Sequence, residues 1–143
     1  MTQAAAKMTF DVEATRRDAH GSIARCKRAT IELDTDVAGN PDAFNPAELV
    51  LAALSACMIK GIERVTPIPG FYLRGVEVRV HGVRRDVPPG MESIEYVIVV
   101  DTDEEDRRLE LLHDNVKRYG TVFNTVAPGT ALSGVLRRKQ AAT

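Results

Sequence analysis

The sequence predicts an α+β fold with largely antiparallel sheets. Two helical patterns stand among several stretches of period-two alternation. The strands come in consecutive runs, so strands and helices do not alternate strictly. Turn signals rich in Gly, Pro and Asp separate the runs. At 143 residues the chain is expected to form a single domain over residues 1–143, with 1–7 frayed at its start.

Taken in order, Met8 to Arg16 carries Phe10, Val12 and Ala14 alternating with polar residues, which predicts a first strand. Asp18-Ala19-His20-Gly21 is a turn signal. Ser22 to Asp36 reads as a second extended stretch with Ile23, Ile31, Leu33 and Thr35 in period two; Lys27-Arg28-Ala29 leaves a bend open. Gly39-Asn40-Pro41-Asp42 belongs to a loop over 37–44. A helix follows from Pro46 to about Val65. Asn45 suits its cap, Pro46 its first position, and Glu48 reaches back to the cap amide. Its apolar residues run nearly all round from Leu49 to Ile59, the pattern of a helix buried on most sides. Pro67 and Pro69 end it.

A hairpin comes next. Val76, Val78 and Val80 alternate with polar residues, Val87-Pro88-Pro89-Gly90 turns, and Ile94, Tyr96, Ile98 and Val100 alternate on the return. Thr102 is the expected cap of a second helix, with Glu105 three residues on. Leu109, Leu112, Val116 and Tyr119 make its apolar stripe and Gly120 its stop. A short turn at Val122-Phe123-Asn124 precedes a final strand near Thr130 to Arg138. The order is βββ or ββ, then α, ββ, α, β.

Composition excludes several function classes. Hydrophobic residues are 44%, charged residues 27%, and the net charge is −1. That balance offers no attraction to nucleic acid or to a membrane surface. The chain has no Trp, which removes the best base-stacking residue. Two cysteines cannot build a disulfide framework of the secreted kind. No stretch has a signal-peptide pattern, and the run from Leu49 to Ile59 is too short to span a bilayer. A cytoplasmic location with reduced thiols is expected. His20, His81 and His113 are scattered and, with two cysteines, lack metal-ligand spacing. No cofactor is expected.

Chemistry centres on Cys57. A thiol attacks only as thiolate, and apolar burial raises its pKa, so a useful Cys57 needs a cation or donor nearby. Lys60 lies three residues on, roughly on the same face. Arg16, Arg17, Arg25, Lys27 and Arg28 in the first strands are further candidates. The residues alone leave Cys57 between core packing and reactivity. Cys26, between Arg25 and Lys27, sits in an electropositive stretch that favours thiolate.

The run from Asn45-Pro46 through Glu48-Leu49 and Leu51-Ala52-Ala53-Leu54 to Cys57, followed by the Val-rich hairpin and the acidic helix ending at Tyr119, resembles the OsmC/Ohr family. That resemblance spans residues 8–138 and implies antiparallel sheets wrapped around two long central helices in an intertwined homodimer. It also implies reduction of small apolar hydroperoxides by a peroxidatic thiolate. That thiolate becomes a sulfenic acid and condenses with a second cysteine, and an external thiol then reduces the disulfide. Cys57 matches the peroxidatic position. The Cys-Pro pair of the resolving position reads Gly120-Thr121 here, so the resolving thiol is gone. The acid that follows Asn-Pro directly in the hydroperoxide branch is Ala47 here, and Glu48 comes one place later. The family arginine falls on Arg17 or Arg16, with Arg17 preferred by its spacing to Leu33.

Glu48 lies nine residues before Cys57, about 13 Å along one helix and on the opposite face. A site joining Glu48, an arginine and Cys57 therefore needs a partner chain. Two functions follow from the resemblance: a one-cysteine thiol peroxidase served by an external thiol, or an inactive relative that binds an apolar ligand or senses redox state. Cys26 substitutes for the lost resolving thiol only if its strand crosses Cys57.

Overall fold

The computed structural model describes residues 6–67 and 70–141. The element order is β1 (Glu13–Arg16), β2 (Ser22–Cys26), β3 (Ala29–Leu33), α1 (Pro46–Val65), β4 (Gly75–Asp86), β5 (Pro89–Asp101), α2 (Asp106–Tyr119), α3 (Thr121–Val126) and β6 (Ala131–Arg138). Two compact units divide the chain, residues 1–49 and 50–143.

The first unit is an antiparallel sheet in the order β1-β2-β3. The expected long second stretch is two strands folded back on each other, with Cys26 opposite Ala29. Lys27 makes that two-residue turn with φ 58, a left-handed conformation usually reserved for Gly or Asn, so the sequence carries no clear signal for it. β1 is shorter than expected. Phe10 and Val12 lie outside it and are exposed, because residues 6–12 pair with no strand in this unit. The loop after β3 is held by its own side chains: Asp34 accepts from the Asp36 amide, Asp36 from that of Ala38, and Asn40 from that of Asp42. These are the local bonds by which Asp and Asn build turns. The cap of α1 forms as expected. Asn45 Oδ1 accepts from the Glu48 amide at 2.8 Å, and Glu48 Oε1 accepts from the Asn45 amide at 3.0 Å.

The second unit is built on the sheet β4-β5-β6. β4 and β5 pair antiparallel with a bulge at Val83/Arg84. β6 pairs parallel to β5, a departure from the antiparallel expectation. The cause is topological: α2 and α3 carry the chain back across the sheet between β5 and β6, as a parallel neighbour requires. The alternation places Val76, Val78 and Val80 on one face with Ile94, Tyr96, Ile98, Val100, Leu132 and Leu136. On that face pack Leu54, Met58 and Ile62 of α1 and Leu109, Leu112 and Val116 of α2. Both sets follow helical spacing.

Three further expectations change. α1 is buried along one face only, at Leu54, Met58, Gly61 and Ile62, while Val50, Ala53 and Ala56 stay exposed. Thr102 does not cap α2; Glu105 is the cap residue, without a side-chain bond. Thr102 is instead buried, donating to the Tyr72 carbonyl at 2.6 Å and accepting from the Glu104 amide at 3.2 Å. The start of α2 is fixed by Arg138, which donates to the Glu104 carbonyl and to Asp106 at 2.7 Å. Gly120 does end α2, but with φ −76 and ψ 118, and the expected turn after it is the six-residue α3. Pro69 lies outside the described residues.

Gly134 of β6 lies under the Tyr96 ring, and a Cβ there would run into both that ring and the Tyr96 carbonyl. A Cβ on Gly61 would meet Val116 Cγ2 at 3.5 Å, ordinary contact. Gly134→Ala is therefore expected to cost about 2–3 kcal/mol by overpacking, and Gly61→Ala less than about 1 kcal/mol. Urea unfolding of the two variants checks the contrast.

Candidate active site at the α1–α2 seam

Cys57 and Gly61 are one helical turn apart on α1, and Val116 and Gly120 stand one turn apart at the end of α2. The two pairs face each other. Gly61 lies against Val116, and the Cys57 sulfur occupies the space a side chain on Gly120 would need. A Cβ built on Gly120 would be 3.0 Å from Cys57 Sγ, 2.9 Å from the Val116 carbonyl oxygen and 3.1 Å from Phe123 Cβ. Gly120 is buried and Cys57 half-buried. The thiol thus sits beside Gly120, with the Val116 carbonyl and Phe123 Cβ close to the same point.

A polar pair lies beyond Phe123. The Tyr96 hydroxyl is 2.6 Å from His113 Nε2. The Tyr96 ring meets the His113 ring edge-on at 5.7 Å and the Phe123 ring edge-on at 6.2 Å. Burial pushes the Tyr96 phenol up to about 12. His113 is held below its ordinary value by burial first and by Lys117 second, with Asp114 opposing. A neutral imidazole accepting from a neutral phenol is the arrangement both directions favour. Sequence reading set His113 aside as a scattered surface residue. Its place opposite an inward-facing Tyr on another element was the only signal, and that is not local.

Of the other expected site residues, all but Lys60 lie in the first unit. Arg17 donates to Glu32 across the sheet, 2.8 Å from its carboxylate. Arg16 pairs in register with Ser22 on β1. Glu48 makes the cap bonds of α1 already described. Cys26 ends β2 and is half-buried. Lys60 of α1 is exposed. Among the described residues no group of His, Cys, Asp and Glu is arranged to hold a metal ion. No helix is long and apolar enough to cross a membrane.

A half-buried thiol on a long capped helix, seated against the end of a second helix in an α+β unit, defines a class of cysteine-bearing two-helix folds. The model of OsmC-like proteins matches residues 38–133, and this chain belongs to that family. Solved structures agree on the fold. An OsmC-like protein from Mycoplasma pneumoniae matches with TM-score 0.84 at 16% identity, covering 94% of this chain and 100% of that one. An organic hydroperoxide resistance protein from Legionella pneumophila matches with TM-score 0.67 at 16% identity, covering 95% and 100%. The organic hydroperoxide resistance protein OhrB of Bacillus subtilis matches with TM-score 0.59 at 18% identity, covering 91% and 98%. No curated protein matches the chain by sequence.

Gly120→Ala tests the seam. Its methyl must displace the sulfur, the Val116 carbonyl or Phe123, so a stability loss of about 1–3 kcal/mol is expected. Cys57 is expected to react several-fold more slowly with a neutral disulfide reagent. Unchanged stability and unchanged reactivity would remove the contact from consideration.

Proposed function

We propose that this OsmC-like protein is a one-cysteine, thiol-dependent peroxidase acting on small apolar organic hydroperoxides. The observation that carries this reading is the seating of Cys57 Sγ against Gly120, the position where the family's resolving cysteine is expected. The Cys57 thiolate attacks the outer peroxide oxygen; the O–O bond breaks, an S–O bond forms, and an alcohol leaves. The sulfenic acid then condenses with an external thiol, releasing water. A second external thiol attacks the mixed disulfide and returns Cys57 with a small disulfide as product. Phe123 near the sulfur suits an apolar substrate. Three of the structural neighbours carry organic hydroperoxide resistance in their names.

The proposal includes a homodimer of single OsmC-like domains, intertwined around the long central helices, with a shared site and a cytoplasmic role in oxidative stress. Surplus apolar surface supports it: Phe10, Val12, Ile31 and Phe44 in the first unit, and Val50, Leu111, Tyr119 and Val135 in the second, are exposed in the single chain. In the dimer, Arg17 or Arg16 and Glu48 of one copy serve Cys57 of the other. The arginine favours the thiolate and Glu48 fixes the arginine. Glycine at 120 also favours a second reading, an apolar-ligand binding or redox-sensing protein that oxidises once and does not turn over.

Cumene hydroperoxide consumption with dihydrolipoamide or small thiols separates the two. Turnover that falls at least about a hundredfold in Cys57→Ser and persists in Cys26→Ser supports the peroxidase. A dimedone-trappable Cys57 without turnover supports the sensor; an unreacted thiol at millimolar peroxide removes both redox readings. Gly120→Cys adds a geometric test. A Cβ 3.0 Å from Sγ is close to the roughly 3 Å that disulfide bond lengths and angles impose. The variant is expected to lose the free Cys57 thiol on oxidation, by peptide mapping.

A further inference from the structure

We propose that the Tyr96–His113 hydrogen bond is a proton-sensitive tie that sets how closely α3 packs over the Cys57 sulfur, so that mild acid loosens the thiol's surroundings. The inference supplies a regulation for the site proposed above and rests on that reading only for its purpose. Tyr96 projects from the core face of β5 and is 3% exposed. Gly134 lies under its ring and leaves no room for a swing toward β6. Its hydroxyl is held by His113 on α2, and its ring meets Phe123 on α3 edge-on. Phe123 Cβ and Cys57 Sγ both crowd the same point beside Gly120, at 3.1 and 3.0 Å. Contacts thus run from the imidazole through Tyr96 to Phe123, and Phe123 and the sulfur flank the same side of Gly120.

The chemistry of the imidazole makes the set responsive. Neutral His113, with its proton on Nδ1, accepts the Tyr96 hydroxyl at Nε2. A second proton turns both ring nitrogens into donors. The Tyr96 oxygen can then only accept from His113, and its own O–H loses the acceptor it has in this structure, which is costly where no other replaces it. The charged groups around His113 are few. Asp114 and Lys117 act on it from α2 with opposite signs. Asp106 and Glu110 of α2 and Arg137 and Arg138 of β6 line the open cleft it borders, and β5 contributes Tyr96, which stays neutral. Because the native imidazole titrates below 6.5, the unfolded chain binds the proton first. Stability from this group is complete above about pH 6.5 and is lost as pH falls from there through the lowered native value. His20 shifts the opposite way, raised by its bond to Asp36, and serves as an internal reference.

The test is the rate at which Cys57 reacts with dithiodipyridine, read by peptide mass between about pH 7.5 and pH 5, in wild type, His113→Gln and Tyr96→Phe. Glutamine offers an acceptor that does not titrate. The ratio of the wild-type rate to the His113→Gln rate is expected to rise on the order of threefold or more toward acid. The Tyr96→Phe ratio to His113→Gln is expected to stay flat. A wild-type ratio that is constant over the range overturns the proposal. Should either variant fail to fold, NMR of the wild type decides: the Phe123 ring and Cys57 amide signals must move with the His113 titration, and fixed signals overturn it. No peroxide enters these measurements, so failure of the peroxidase reading and failure of the tie are separately visible.

Discussion

The close approach of α1 to the end of α2 is the constraint on which the second unit depends. Two helices pack at a distance set by the side chains between them. Here the interface has glycine on both sides: Gly61 receives Val116, and Gly120 receives the Cys57 sulfur. The i, i+4 spacing on each helix puts these pairs in line. With the helices this close, Leu54, Met58 and Ile62 reach the sheet beside Leu109, Leu112 and Val116, and one continuous core results. The thiol is therefore part of the packing and part of the candidate chemistry at once.

Polar groups around that core are answered in ways that hold the seam in place. Thr102 joins Tyr72 to the end of β5, bonding the Tyr72 carbonyl and the Glu104 amide. Arg138, at the end of β6, grips the first turn of α2 through the Glu104 carbonyl and Asp106. Tyr96 and His113 satisfy each other across β5 and α2. Among the described residues no buried side-chain polar atom lacks a partner. Since an unpaired buried group costs more than a paired one contributes, each of these bonds penalises alternative packings of α2. The position of Gly120 against Cys57 follows from where α2 begins as well as from where it ends.

What was readable in the sequence was what is decided locally. Asn45 and Glu48 announce their reciprocal cap because both partners lie within one helical turn. The alternation in Val76–Val80 and Ile94–Val100 announces a two-faced hairpin because the pleat has a period of two. Residues whose roles depend on distant partners were misjudged. Thr102 looked like a cap and is a loop-to-strand bond. Lys27 turns a hairpin without a glycine because the pairing of β2 with β3 outweighs a left-handed backbone at one residue. The parallel placement of β6 depends on the path of α2 and α3, which no window of alternation contains. The OsmC/Ohr resemblance was legible for a related reason: the cap, the apolar run and Cys57 form one contiguous segment. The contact that seats Cys57 joins residues far apart in the chain, and only the fold reveals it.

Glycine at 120 also bears on the redox chemistry proposed for Cys57. A cysteine there would stand within disulfide reach of Cys57, and an intramolecular partner held in place reacts as if present at very high concentration. Without it, the lifetime of any sulfenic acid on Cys57 is set by the concentration and access of an outside thiol. A half-buried sulfur against main chain restricts that access, and it equally restricts a second peroxide, which would carry the sulfur on to an irreversible acid. On the proposed reading, restricted access that slows reduction would equally protect the oxidised form. Turnover or sensing then turns on how freely an outside thiol reaches Cys57. Phe123, which flanks Gly120 with the sulfur, sits on a six-residue helix and meets the Tyr96 ring edge-on. Val122 and Val126 of the same helix also pack against the core, so any opening beside the sulfur has to displace their packing as well.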